Sequence, residues 1–195
     1  MALSSTLGKL TVPLMRDYSM AATYIAEGKA FHVHNPTLLT AVTGQTSHAL
    51  TLATIYCGNR GGKAMVPLWA RFSQSGSVGG GRIQYGIEIA DVDQYTSGTA
   101  LTVDALNHIA AGGSQVVAAH TATIPAFTAG NNFNVGAGEI FQTVSTVGEN
   151  VVTDLFPFAG FCIVKPGGAL YIYTNAATTG PTWQYDVAWA EIEVS

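Results

Sequence analysis

The stretch Arg82-Ile83-Gln84-Tyr85-Gly86-Ile87-Glu88-Ile89 alternates without exception, with Ile, Tyr, Ile and Ile at odd positions and Arg, Gln, Gly and Glu at even ones. Successive side chains leave a pleated backbone on opposite sides, so a period of two predicts a strand with one face buried and one wet. The same pattern recurs along the chain. Residues 50–57 are an apolar, β-branched run ending at the turn signal Gly58-Asn59-Arg60-Gly61-Gly62. Residues 65–73 place Val66, Leu68, Ala70 and Phe72 on one predicted face. Residues 115–124 read as a strand stopped by Pro125, and 138–147 as another. Residues 158–165 are almost wholly apolar, which predicts a strand covered on both faces. Pro166-Gly167-Gly168 then turns the chain into 169–174, where Leu170 and Ile172 oppose Tyr171 and Tyr173. Residues 183–194 form the last run, and 29–35 add one more, for roughly nine strands at sandwich-like spacing.

Helical spacing occurs only in 17–27, with Tyr18, Ala21, Ala22 and Ile25 on one side and Gly28 as a stop. Residues 93–107 and 129–138 read as loops. The expected fold is all-β: an antiparallel β-sandwich of jelly-roll type forming a single domain over 29–195, preceded by an N-terminal arm or short helix over 1–28. An immunoglobulin-like sandwich is the alternative, but its Cys…Trp…Cys spacing is missing, since Trp69 follows Cys57 too closely and Cys162 lies far beyond.

Charge narrows the function. Only 10% of the 195 residues are charged, against about 25% in an average soluble domain. The 8 Lys and Arg leave none between Arg82 and Lys165, which argues against nucleic acid as a partner. No apolar run reaches the length of a membrane span, and the first nine residues lack the pattern of a secretory signal. Cys57 and Cys162 sit in apolar runs and read as buried free thiols, with a single bridge between them as the alternative. Thr, Ser, Ala and Gly replace the missing charge. The simplest account is a surface covered by copies of the chain or by a larger assembly, because interface cores are poor in charge.

Several groups of residues bear on chemistry. His32 and His34 share a strand face and resemble the His-x-His of the cupins, jelly-roll proteins that are often metalloenzymes. A cupin places a glutamate four or five residues on, and Asn35-Pro36-Thr37-Leu38-Leu39 supplies none. The plainer reading is a polar outer face backed by Phe31 and Val33. His120 is a remote third ligand at best. Glu88, Asp91 and Asp93 suggest either a carboxylate pair for glycoside hydrolysis or, with Ser97, a calcium loop, and a solvated strand end is preferred over both. No nucleophile elbow or phosphate-binding loop is present. The sequence therefore assigns no catalytic, cofactor-binding or metal residues and no cofactor. In the last strand Tyr185, Val187 and Trp189 oppose Ala188, Ala190 and Ile192, so both faces are apolar. Trp183, Tyr185, Trp189, Tyr171 and Tyr173 are accordingly expected at an oligomer or partner interface, with a central buried strand as the competing reading.

The order Phe161-Cys162-Ile163-Val164-Lys165-Pro166-Gly167-Gly168, Leu170-Tyr171-Ile172-Tyr173 and Val187-Ala188-Trp189-Ala190-Glu191-Ile192, together with Tyr95-Thr96-Ser97-Gly98-Thr99-Ala100-Leu101-Thr102, resembles the jelly-roll virion proteins of tailed bacteriophages, in particular capsid decoration, cement or minor head proteins. That resemblance implies a non-enzymatic structural protein made in the host cytoplasm and located on the capsid surface. It implies a homotrimer bridging subunits of the major capsid protein, with Lys9 and Arg16 of the N-terminal arm as the tether. The alternatives are a carbohydrate-binding module or receptor-binding fibre domain, stacking sugars on Trp69, Trp183 and Tyr185, and, last, a cupin-like metalloenzyme.

Overall fold

The computed structural model describes residues 20–37, 40–47, 49–75, 81–109, 112–124, 132–142, 152–157, 162–176 and 181–194. In chain order they form helix α1 (Met20–Ala26) and strands β1 (Ala30–His34), β2 (Val42–Thr43), β3 (Leu52–Asn59), β4 (Ala64–Gln74), β5 (Gly81–Ala90), β6 (Ser97–Leu101), β7 (Asp104–Ala105), β8 (Val116–Thr123), β9 (Asn132–Gln142), β10 (Val152–Pro157), β11 (Ala169–Ala176) and β12 (Thr182–Ile192). Two six-stranded antiparallel sheets result. Sheet A runs β10-β4-β12-β1-β7 with β2 also on β12, and sheet B runs β6-β8-β3-β11-β5-β9. The chain is an all-β two-sheet structure, as its alternation predicts.

The core is the layer between the inner faces. Sheet A contributes Phe31 and Val33, Ala70 and Phe72, and Trp183, Tyr185, Val187 and Trp189; sheet B contributes Ile55, Cys57, Ile83, Ile87, Leu170 and Ile172. Phe72 meets Trp183 edge-on with ring centroids 5.6 Å apart, a geometry worth about 0.5–1.5 kcal/mol beyond burial. The buried indoles keep partners for their N–H groups: Trp183 Nε1 donates to Thr174 Oγ1 at 2.9 Å and Trp189 Nε1 to Glu191 Oε1 at 3.3 Å. Cys57 and Cys162 are free, and burial pushes the Cys57 thiol up to about 12, which keeps it protonated and inert.

Local signals explain the element ends. Gly28 adopts φ 71°, and Lys29 N–H reaches Tyr24 O at 2.9 Å while Gly28 N–H reaches Ile25 O at 3.0 Å. That left-handed cap ends α1 and delivers the chain straight into β1. At Pro166-Gly167, proline presets the first turn position, Gly167 takes φ 79°, and Gly168 N–H closes the turn on Lys165 O at 3.0 Å.

Several expectations are corrected. Val66 and Leu68 do not share a face with Ala70 and Phe72. The register of β4 on β12 slips between Ala188 and Trp189, and this bulge turns Val66 and Leu68 outward beneath α1 while Ala70 and Phe72 stay in the core. Residues 162–165 make only one bridge, Val164 to Met65, and Ile163 is 60% exposed; residues 158–161 lie outside the described residues. The supposed loops at 93–107 and 129–138 contain β6, β7 and the start of β9. β6 and β7 are short and carry no apolar alternation, whereas β9 does alternate, Phe133, Val135 and Ala137 between Asn132, Asn134, Gly136 and Gly138, but its Asn and Gly residues read as a loop. β12 is the central strand of sheet A. Its inner side is core, and its outer residues Ala188, Ala190 and Ile192 pack with Ala21, Tyr24 and Ile25 of α1.

Candidate functional site

Because Phe31 and Val33 point into the sandwich, His32 and His34 stand on the outer face of sheet A. Helix α1 covers one end of this face, over Ala30, Val66 and Ala190. Beyond the helix the face turns polar. Strand pairing sets His32 opposite Asp104 of β7 on one side and Ala188 of β12 on the other, and sets His34 opposite Asp186. Side chains then meet along diagonals. His32 Nδ1 lies 2.8 Å from Asp186 Oδ1, and His34 Nε2 lies 3.3 Å from Asp104 Oδ2. The two imidazole centroids are 5.4 Å apart.

Both rings are held from behind. Asp186 Oδ2 accepts a 2.8 Å hydrogen bond from Trp69 Nε1, so one carboxylate orients both an imidazole and an indole. His34 Nδ1 lies 2.8 Å from the carbonyl of Asn35. Asn35 is itself buried and fixed: its Nδ2 donates to Thr40 O and Trp183 O, and its Oδ1 accepts from Tyr185 N. Burial works against ionisation of Asp186. The hydrogen bonds from His32 and Trp69, with the charges of His32 and Arg71, outweigh it and hold the carboxyl below its ordinary value. One nitrogen from each histidine and one oxygen of Asp104 lie within 4.8 Å of one another, the one such three-ligand group among the described residues.

Sequence reasoning singled out His32 and His34 but missed Asp104 and Asp186. It sought a third ligand a few residues downstream, whereas both carboxylates arrive from other strands through sheet register. An available signal was Asp186 itself, a lone charge in the apolar run Tyr185-Asp186-Val187-Ala188-Trp189. His120 does not join the group. It stands on β8 of sheet B, its Nδ1 3.1 Å from Thr121 Oγ1, and burial lowers its pKa.

The five aromatic residues expected at an interface lie inside the protomer. Trp183, Tyr185 and Trp189 fill the inter-sheet core and are at most 4% exposed. Tyr171 and Tyr173 lie on the outer side of sheet B but are equally buried, grouped with Tyr56 and Tyr95. The interface assignment is corrected accordingly: packing within the sandwich consumes these side chains. Two of the three proposed sugar-stacking residues fall with it. The third, Trp69, has the Arg71 guanidinium 5.3 Å from its ring centre. Lys9 and Arg16 lie outside the described residues.

The carboxylates at the end of β5 are engaged by protein partners. Asp91 binds Lys165 at 3.2 Å. Asp93 accepts from Tyr56 Oη at 2.6 Å, Arg60 Nε at 3.1 Å and Tyr95 N at 3.0 Å. An open groove on sheet B is lined by Gln84, Glu88, Glu139 and Asn175, among others. Its polar groups bind one another, Gln84 Nε2 to Glu139 Oε1 at 2.8 Å and Asn175 Nδ2 to Gln84 Oε1 at 3.1 Å. Among the described residues no helix is long and apolar enough to cross a membrane. In comparisons with known proteins, no family model, no curated protein and no solved structure matches this chain.

Proposed function

We propose that this protein is a structural, non-enzymatic subunit of a virion. It is a jelly-roll sandwich that assembles with copies of itself, as a homotrimer, on a capsid surface and bridges subunits of the major capsid protein, in the manner of bacteriophage decoration and cement proteins. Strand pairing supports the finer fold. β1 pairs with β12, β3 with β11, β4 with β10 and β5 with β9. These are the nested pairs of one long hairpin, and they fall alternately in sheets A, B, A and B. A hairpin rolled in this way is the plan of a jelly roll. β6, β7 and β8 interrupt the hairpin at its tip, where β7 adds to β1 and β8 to β3.

The observation that carries the assembly role is the surface. Among the described residues ten threonines are exposed against seven charged side chains. Lys29, Arg60, Lys63 and Lys165 are paired with Glu27, Asp93, Glu193 and Asp91. Little net field is left to repel a second copy. The edge strand β6 belongs to the same surface: four of its five residues are exposed and none is charged, where a lone protomer commonly guards such an edge with charge. Light scattering after size exclusion tests the reading, on the native chain and on Thr99→Lys. A trimer weakened by Thr99→Lys supports it, and a monomer at every concentration refutes it.

A further inference from the structure

We propose that His32, His34 and Asp104 form a binding site for one divalent transition-metal ion of the zinc class on the outer face of sheet A. Hydrogen bonds fix the tautomers. Each Nδ1 faces an oxygen that can only accept, the Asp186 carboxylate for His32 and the Asn35 carbonyl for His34, both at 2.8 Å. Each neutral ring therefore carries its proton on Nδ1, and its lone pair sits on Nε2. At His34 that lone pair looks at the Asp104 carboxylate across 3.3 Å. A cation joins the two: a proton in the metal-free protein, displaced by a metal ion when one binds.

The spacing suits such an ion. Ligand atoms about 2.0–2.1 Å from a tetrahedral zinc stand about 3.3 Å from one another. The whole group lies within 4.8 Å, so no pair of ligand atoms needs to close by more than about 1.5 Å to reach the same spacing. Two imidazoles with one carboxylate favour zinc-class ions over calcium or magnesium, which take oxygen ligands. The arrangement also has the outer ring of contacts that metal-binding histidines use: a carboxylate behind His32, itself held by Trp69, and a fixed carbonyl behind His34. Three protein ligands leave a fourth position open, and the half-exposed His34 and Asp104 side chains make that position accessible from solvent. The ion would tie β7, a two-residue strand paired to β1 only at Phe31 and His32, onto the sandwich.

The test is calorimetric titration of the chelator-treated full chain with zinc chloride, repeated with cobalt(II) for its visible absorption. One ion per chain with tetrahedral cobalt bands is expected. His34→Ala and Asp104→Asn should each weaken zinc binding at least tenfold. Asp186→Asn removes only a positioning residue and should weaken it by about 10–100-fold while leaving the cobalt bands in place. Asp91→Asn serves as a control with unchanged affinity. Circular dichroism confirms folding, and His34 and Asp104 are exposed enough for their variants to fold. Less than half an ion per chain, or equal affinity in Asp104→Asn and the native protein, overturns the proposal.

Discussion

The two outer faces of the sandwich are built alike and finished differently. On sheet B, residues 91–96 follow β5 and engage the sheet's outer phenols: Tyr95 stacks on Tyr56 at 4.3 Å, Gln94 N–H donates to Tyr171 Oη at 3.1 Å, and Asp93 takes the Tyr56 hydroxyl and Arg60. The phenols and Asp93 find partners there, with Gln94 Oε1 the one buried side-chain atom of this segment left without one, and Tyr56, Tyr171 and Tyr173 end at most 1% exposed. On sheet A, the helix stops short of the second half of the face. One carboxylate, Asp186, is consumed by His32 and Trp69, while the half-exposed Asp104 meets His34 Nε2 across 3.3 Å at the solvent edge. A polar group on a sheet face is structural when its partners balance. It can become a binding site when ligand atoms converge at the solvent edge.

The sharpest way to break this comparison is to truncate one residue on each face. Tyr56→Ala should cost about 3–5 kcal/mol, as for a large buried aromatic, and His34→Ala, half-exposed, about 0.5 kcal/mol without metal. Urea midpoints of the two variants give the answer, and equal losses would erase the distinction.

Alkaline pH attacks the closed face and the core beneath it. Burial, aided by Asp93, raises the Tyr56 phenol, and burial pushes Tyr171 and Cys57 each up to about 12. Their folded values exceed the ordinary 10.0 and 9.0, so the unfolded chain ionises first. Stability is then complete below about pH 9 and falls as pH rises towards 12. Denaturation midpoints should change little from pH 7.5 to 9 and fall by pH 10.5, whereas a flat series would mean these phenols are open to solvent.

The carboxylates sharpen the contrast further. Asp93→Asn and Asp186→Asn should each cost about 1–3 kcal/mol, the usual loss for a hydrogen-bonded charge, yet only Asp186→Asn should alter zinc affinity. The smallest effect belongs to the core. The Tyr185 hydroxyl is buried with no hydrogen-bond partner among the described residues, so Tyr185→Phe should keep or slightly raise thermal stability. Tyr173→Phe, which loses the bond to Leu50 O at 3.2 Å, should lower it.

Much of the fold is legible because burial writes a period of two into β5, β11 and β12, and because Gly28 and Pro166-Gly167 mark a helix end and a turn. The bulge at Leu68 was missed although Pro67 marks it, since proline within a strand paired on both sides is confined to such irregularities. β6 escaped because an edge strand needs no alternating apolar face, and β9 because its Asn and Gly residues drew attention away from the alternation of Phe133, Val135 and Ala137. The aromatic residues of β11 and β12 read equally well as core or interface, since either environment excludes water and only the three-dimensional neighbours decide. For the site, sequence offered the two histidines and their common face. The two carboxylates depend on register between strands more than seventy residues apart in the chain, which no local pattern records.

Native mass spectrometry of the purified protein, before and after zinc addition, tests the central claim of a self-assembling sandwich subunit most directly, since it counts subunits and metal ions together. The account predicts a trimer that takes up one zinc ion per subunit. A monomer across the accessible concentration range would contradict it.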